Sequence, residues 1–173
     1  MKTDGPDRTA HAVEEAYAEH GAALFRFALR LCGHRDDAED IVVETFTHAY
    51  RQWDAFQGKG ERRAWLYGIA VNRFRMSRRR SRHSLETLSA DTPFRGPDPM
   101  DIVTLETEIA RLPTKQREAF LLVKGEGLTA REAAEALGWP LGTVLYEVHR
   151  AVHALRRALG EDSAPILLCE VER

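Results

Sequence analysis

Thr129-Ala130-Arg131-Glu132-Ala133-Ala134-Glu135-Ala136-Leu137-Gly138-Trp139-Pro140-Leu141-Gly142-Thr143-Val144 decides how the chain folds. Thr129 with Glu132 three residues later is a capping box, in which each side chain satisfies a backbone N–H that the first helical turn leaves open. Ala133, Ala134 and Leu137 supply a small apolar face, and Gly138 offers the left-handed conformation that stops a helix. Trp139 and Pro140 turn the chain into a second helix over residues 141–159. There Val144, Val148, Val152, Leu155 and Leu159 form the expected buried stripe, while Thr143, Tyr146, Glu147, Arg150 and Arg157 point away from it. Two helices joined by so short a turn fit a helix-turn-helix whose second helix enters the major groove of DNA. The same pattern also fits an ordinary helical hairpin, so the flanking segments must decide.

Upstream, helices are expected over residues 101–111 and 114–124, with Pro113 suited to a helix start. Before them SLETLSADTPFRGPDP, residues 84–99, carries three prolines, a glycine and small polar residues. It reads as a flexible linker over residues 83–100. A first helical unit over residues 8–82 precedes it. Its third helix, residues 62–80, buries Leu66, Ile69, Ala70 and Phe74 and places Asn72, Arg75, Arg79 and Arg82 on another face. Arg73 to His83 holds six arginines and no acid. The planar guanidinium fork suits phosphate. Trp53, Phe56, Trp65, Tyr67 and Phe74 crowd this unit; most are expected in the core, with those near the Gln57-Gly58-Lys59-Gly60 loop placed to stack on an unpaired base.

The second helix begins near Asp36 and sets Val42, Phe46, Ala49, Tyr50 and Trp53 on its inner face. Asp36 to Glu44 holds five acids and no base. The helix dipole accounts for the first acids; Glu44, two turns in, points instead to a basic protein partner. The first helix, residues 8–31, is striped by Leu24, Phe27, Ala28 and Leu31 and ended by Gly33. The expected fold class is therefore all-α: two small helical domains, residues 8–82 and 101–159, joined by a flexible linker, followed by a tail over residues 160–173 that carries Ile166, Leu167 and Leu168.

The 173 residues carry a net charge of −2, modest for a protein that holds DNA unaided. The opposite-sign blocks instead predict two kinds of partner. The polar start of the chain lacks a signal-peptide apolar core, and no apolar run reaches membrane-spanning length, so a cytoplasmic chain without membrane insertion is expected. Cys32 and Cys169 form no CxxC pair, and Cys32 reads as buried filler. His149 and His153 have zinc-compatible spacing but no third ligand and no HExxH glutamate; no metal, cofactor or catalysis is expected.

Together these segments resemble the extracytoplasmic-function (ECF) subfamily of the sigma-70 family of RNA polymerase sigma factors. Asp37-Ala-Glu-Asp-Ile-Val-Val-Glu-Thr-Phe46 is similar to its polymerase-binding signature. Ala64-Trp-Leu-Tyr-Gly-Ile-Ala-Val-Asn-Arg73 and the arginine run look like its promoter −10 region. Leu112 to Glu118, Gly127 to Gly138 and Gly142-Thr-Val144 resemble its −35-reading domain. The resemblance implies a transcription initiation factor that catalyses no reaction. It implies that Asp37, Asp40, Val43 and Glu44 meet core polymerase, which is engaged through the β′ coiled coil and the β subunit. It assigns Phe56, Gln57, Lys59, Trp65, Asn72, Arg73, Arg75, Arg78 and Arg79 to −10 promoter DNA, including a flipped base at the loop. It assigns Arg131, Thr143, Tyr146, Glu147, Arg150 and Arg157 to −35 DNA, and it implies an anti-sigma partner. A stand-alone helix-turn-helix regulator is the alternative; it explains only the second domain.

Three departures stand out. Val43 replaces a glutamine usual in the signature. After Val144 the family's Lys-Ser-Arg or Arg-Ser-Arg is replaced by Leu145-Tyr146-Glu147, which leaves either an altered or a weakened −35 readout. A glutamate repels phosphate but accepts from a cytosine amino group. The tail lies outside the resemblance.

Overall fold

A computed structural model describes residues 6–53, 56, 61–85 and 105–159. The described residues are helical throughout, in the order α1 (Pro6–Cys32), α2 (Arg35–Arg51), α3 (Arg62–Leu85), α4 (Leu105–Arg111), α5 (Thr114–Phe120), a π-helical turn (Leu121–Gly125), α6 (Ala130–Leu137) and α7 (Leu141–Leu159). The linker beyond Leu85, the Gln57–Lys59 loop positions, Arg82's side chain and the tail lie outside the described residues.

Helices α1, α2 and α3 form the first unit. Leu24, Phe27, Ala28 and Leu31 of α1 are buried as their spacing requires, against Ile41, Val42, Phe46 and Ala49 of α2 and Leu66, Ile69, Ala70 and Phe74 of α3. Phe27 meets Tyr67 edge to face at 4.9 Å, a favoured aromatic geometry. Gly33, at φ 82°, ends α1. The inner face of α2 is rotated from the expected one: Ala38 and Thr45 are buried, and Tyr50 is 44% exposed. Thr45 belongs inside because its hydroxyl donates to the Ile41 carbonyl at 2.6 Å and so carries no unmet polar group. Helix α3 continues through residues 83–85, which correct the expected linker start; no glycine or proline interrupts the chain there before Pro93.

In the second unit the capping box forms as read. The Glu132 backbone N–H donates to Thr129 Oγ1 at 3.2 Å, and the Thr129 N–H donates to Glu132 Oε2 at 2.7 Å. Gly138 adopts φ 65° and the Trp139 N–H returns to the Ala134 carbonyl at 3.0 Å, closing α6. Two expectations are corrected. The helix read over residues 114–124 is α-helical only to Phe120; a wider turn follows, with the Glu126 N–H on the Leu121 carbonyl at 2.8 Å. The extra residue in that turn buries Leu121 and Leu122 side by side and swings Glu126 toward the first unit. On α7 the buried residues are Val144, Ala151 and Leu155, so Val148, Val152 and Leu159 only flank the core.

Cys32 Sγ donates to the His34 carbonyl at 3.2 Å. Burial, with a smaller contribution from nearby Asp37, pushes its thiol above the usual range. A raised thiol pKa stabilises the fold fully below the ordinary thiol range and loses that contribution as pH climbs through the folded value. Two outcomes are expected. Thr129→Ala lowers unfolding free energy by about 1 kcal/mol in urea titration, because an orphan N–H loses its acceptor. Cys32, followed by peptide mapping at pH 8, alkylates roughly ten-fold or more slowly in the native chain than in the denatured one.

Candidate nucleic-acid interface

Each group of residues marked out in the sequence occupies its own surface. On α2, Asp37, Asp40, Val43 and Glu44 are all exposed, Val43 to 66%. Their i, i+3, i+6 and i+7 spacing gathers them on one side of the helix, opposite the buried Ala38, Ile41 and Thr45. An apolar residue framed by three carboxylates suits a partner surface that is basic at its rim.

At the far end of the first unit, Trp53, Phe56 and Trp65 form a half-buried aromatic cluster. Phe56 stacks on Trp65 at 4.9 Å, Trp53 meets Trp65 at 6.0 Å, and the Arg62 guanidinium lies 5.3 Å from the Trp53 ring. Tyr67 and Phe74, by contrast, are core. Trp65, Asn72 and Arg79 follow at seven-residue intervals, so one row along α3 leads from the aromatic cluster to the arginines. Asn72 and Arg79 are exposed. Arg73 is half-buried, and its Nε has no hydrogen-bond partner among the described residues. Gln57 and Lys59 lie outside the described residues.

Arg75 and Arg78 are placed differently. Both turn toward the second unit. Arg75 Nη2 and Nε donate to the two carboxylate oxygens of Glu118 at 2.7 and 3.2 Å, and its Nη1 donates to the Leu137 carbonyl at 3.2 Å. The same guanidinium lies 5.1 Å from the Trp139 ring. Arg78 donates to Thr114 Oγ1 and packs over Phe74. Sequence reading placed Arg75 on one face with Asn72 and Arg79. It could not foresee that α5 and α6 would take Arg75 from that face, because the contact spans 43 residues of sequence.

In the second unit Thr143, Tyr146, Glu147, Arg150 and Arg157 span about 100° of arc on α7. Tyr146, Arg150 and Arg157 are exposed, Thr143 and Glu147 partly so, and Arg131 is exposed on α6. Arg150 lies over the Tyr146 ring at 5.7 Å, a cation–π contact that holds both on the outer face. Leu145 is 54% exposed but sits on a different side of α7, in a row with Leu141, Val148 and Val152. Of the three residues departing from the family pattern, only Tyr146 and Glu147 therefore stand on the candidate DNA face. His149 and His153 are exposed, and among the described residues no cluster of three metal-ligating side chains occurs. No described helix is long and apolar enough to cross a membrane.

Comparison with known proteins identifies the family. Residues 16–84 match Sigma-70 region 2, and residues 102–155 match Sigma-70, region 4. The chain is 35% identical over 162 residues to the ECF RNA polymerase sigma factor SigE of Mycolicibacterium smegmatis, covering 87% of this chain and 63% of that protein. It is 35% identical over 150 residues to the ECF RNA polymerase sigma factor EcfG of Rhodopseudomonas palustris, covering 82% of each. Its fold is similar to that of the sigma factor RpoE from Bartonella quintana, solved in complex with the anti-sigma factor NepR. The TM-score is 0.73 at 27% identity, covering 84% of this chain and 95% of that one. The 35% identity to EcfG over 82% of each chain, together with the two Sigma-70 region matches, shows that the chain belongs to the ECF subfamily of the sigma-70 family of RNA polymerase sigma factors.

Proposed function

We propose that this chain directs core RNA polymerase to promoters, with the first unit binding polymerase and opening the −10 element and the second reading the −35 element. The observation that carries the reading is the separation of three chemically distinct surfaces on one chain matched by both sigma regions. The acidic face of α2, with Asp37, Asp40, Val43 and Glu44, meets the β′ coiled coil. The half-buried cluster of Trp53, Phe56 and Trp65 receives an unstacked −10 base, because every base has a π-face and aromatic stacking needs no sequence code. Asn72, Arg73, Arg75, Arg78 and Arg79 follow the adjoining backbone. The outer face of α7 enters the major groove with Arg131 at its side. The chain acts by positioning polymerase and catalyses nothing itself.

This division reconciles a net charge of −2 with DNA binding. Polymerase supplies much of the cationic surface, and the factor's own arginines act where polymerase sets them down. An anti-sigma protein is the inferred regulator; the support is the similarity to a sigma factor captured with one. The place of action is the cytoplasm, where core polymerase works.

Run-off transcription with purified core polymerase, on DNA upstream of the chain's own gene and on genomic fragments, tests the reading. Specific transcripts that depend on the protein are expected. Absence of transcripts together with absence of polymerase binding would instead favour a stand-alone helix-turn-helix regulator.

Glu147 stands on the α7 outer face, where a carboxylate accepts from a cytosine amino group and repels phosphate. Glu147→Arg is expected to change base preference at one −35 position by about ten- to a hundred-fold, corresponding to about 1–3 kcal/mol of discrimination. Transcription from a library randomised across the −35 element reads the change. An unaltered preference would remove Glu147 from the readout.

A further inference from the structure

Helix α7 carries an apolar row that the described residues leave partly open. Leu141, Leu145, Val148 and Val152 recur at steps of four and three residues and lie within about 60° of arc. Leu141 and Leu145 are 41% and 54% exposed, whereas Val148 and Val152 are half-buried and rest one side on the core of the second unit. The row is separate from the candidate DNA face, because Leu145 and Tyr146 are consecutive and their side chains point about 100° apart. Along its edge stand the exposed His149 and the half-buried Arg156. Arg156 Nε is buried and has no hydrogen-bond partner among the described residues. A guanidinium donor withdrawn from water in this way is suited to an incoming carboxylate.

The chain that leaves α7 has the composition to meet this row. Ile166, Leu167 and Leu168 are consecutive apolar residues, with Glu161 and Asp162 before them and Glu170 and Glu172 after. Those four acids, against Arg173 alone, complement His149, His153 and Arg156 of α7. The reach also fits. The seven residues from Gly160 to Ile166 extend up to ~23 Å. Val152, Val148 and Leu145 lie ~10, ~16 and ~21 Å back from Leu159 along the helix axis. Gly160 suits a reversal at a helix end, and Pro165 does not prolong one. The region 4 match stops at residue 155, and Leu145, the most exposed member of the row, departs from the family pattern. One pairing therefore accounts for both departures. A second copy of α7 is the poorer occupant, since it would set the same histidines and arginine against themselves.

We infer that Ile166-Leu167-Leu168 folds back onto the Leu145–Val152 row of α7 in the same molecule, with a flanking acid on Arg156. The tail then braces the second helix of the helix-turn-helix from the side away from DNA. Tyr146, Arg150 and Arg157 are exposed on the other side, so the strap and −35 reading are compatible.

Two changes remove the two halves of the contact: Leu145→Gln, and Leu167→Gln together with Leu168→Gln. None of these residues belongs to a surface assigned to polymerase or DNA. Methyl NMR of the full chain is expected to show cross-relaxation between the Ile166 δ1 methyl and the methyls of Leu145 and Val148, unchanged on dilution. Leu145→Gln is expected to lower the thermal midpoint by about 2–6 °C, although an exposed leucine without a partner would tolerate glutamine at no loss. The tail change lowers it similarly, and the combination lowers it no further than either alone, as a single shared contact requires. Absence of cross-relaxation in the free chain would overturn the inference. Cross-relaxation that fades on dilution would assign the row to a second copy and overturn it too. Additive losses in the combined variant, or no loss from either change, would show that the tail and the row do not hold one another.

Discussion

Arg75 and Glu118 form a bidentate ion pair in a place where water hardly reaches. Glu118 is almost wholly buried and the Arg75 side chain is 28% exposed. Two charges taken from water need a near-ideal partner geometry to recover their hydration, and the parallel donors of a guanidinium meet a carboxylate in that way. Such a pair adds little net stability over apolar side chains of the same size. Removing one member, however, costs about 3–5 kcal/mol, because the other is left buried and uncompensated. The pair therefore fixes register more than it adds cohesion. It sets where α3 lies on α5 and α6, and that placement brings Gly68 onto Ala136 and Tyr67 within reach of Glu126.

The accessibility of the α3 arginines follows from that placement. With α3 docked by its Arg63–Arg78 side, Asn72 and Arg79 of the neighbouring row stay exposed, while Arg75 and Arg78 are half-buried against the second unit. Burial and the Glu126 carboxylate push the Tyr67 phenol far above its usual range, so it remains a proton donor to Glu126 at any pH a cell maintains. The contact joins buried apolar residues of both units in one core and carries hydrogen bonds from Arg63, Tyr67, Arg75 and Arg78 across it.

Most of the fold was legible because it is local. Capping at Thr129, the glycines at 33 and 138, and the stripes of α1 and α3 depend on residues within a few turns of one another, and periodicity reads them directly. The errors share a cause as well. Tyr50, Val148 and Val152 have the right spacing for burial but lie at the edge of small units, where the buried arc is narrower than the apolar one. The π-helical turn after Phe120 leaves no mark in periodicity, and the Glu126 that follows it bonds Tyr67, 59 residues away in sequence. The exposure of the acids of α2, of Asn72 and Arg79 on α3 and of Tyr146, Arg150 and Arg157 on α7 follows their spacing, whereas Arg75 and Arg78 turn toward α5 and α6. What the sequence could not convey is that Glu118, which reads as an unremarkable helix residue, is the partner of Arg75. Pairings between distant segments have no local signal.

The most direct measurement is core polymerase binding and promoter-specific transcription by a variant that reverses the exposed acids of α2, Asp40→Arg with Glu44→Arg. Loss of both, with an unchanged melting temperature, is the result the account predicts. Polymerase binding and transcription at the level of the unaltered chain would contradict it, because the acidic face would then not be the surface that meets polymerase.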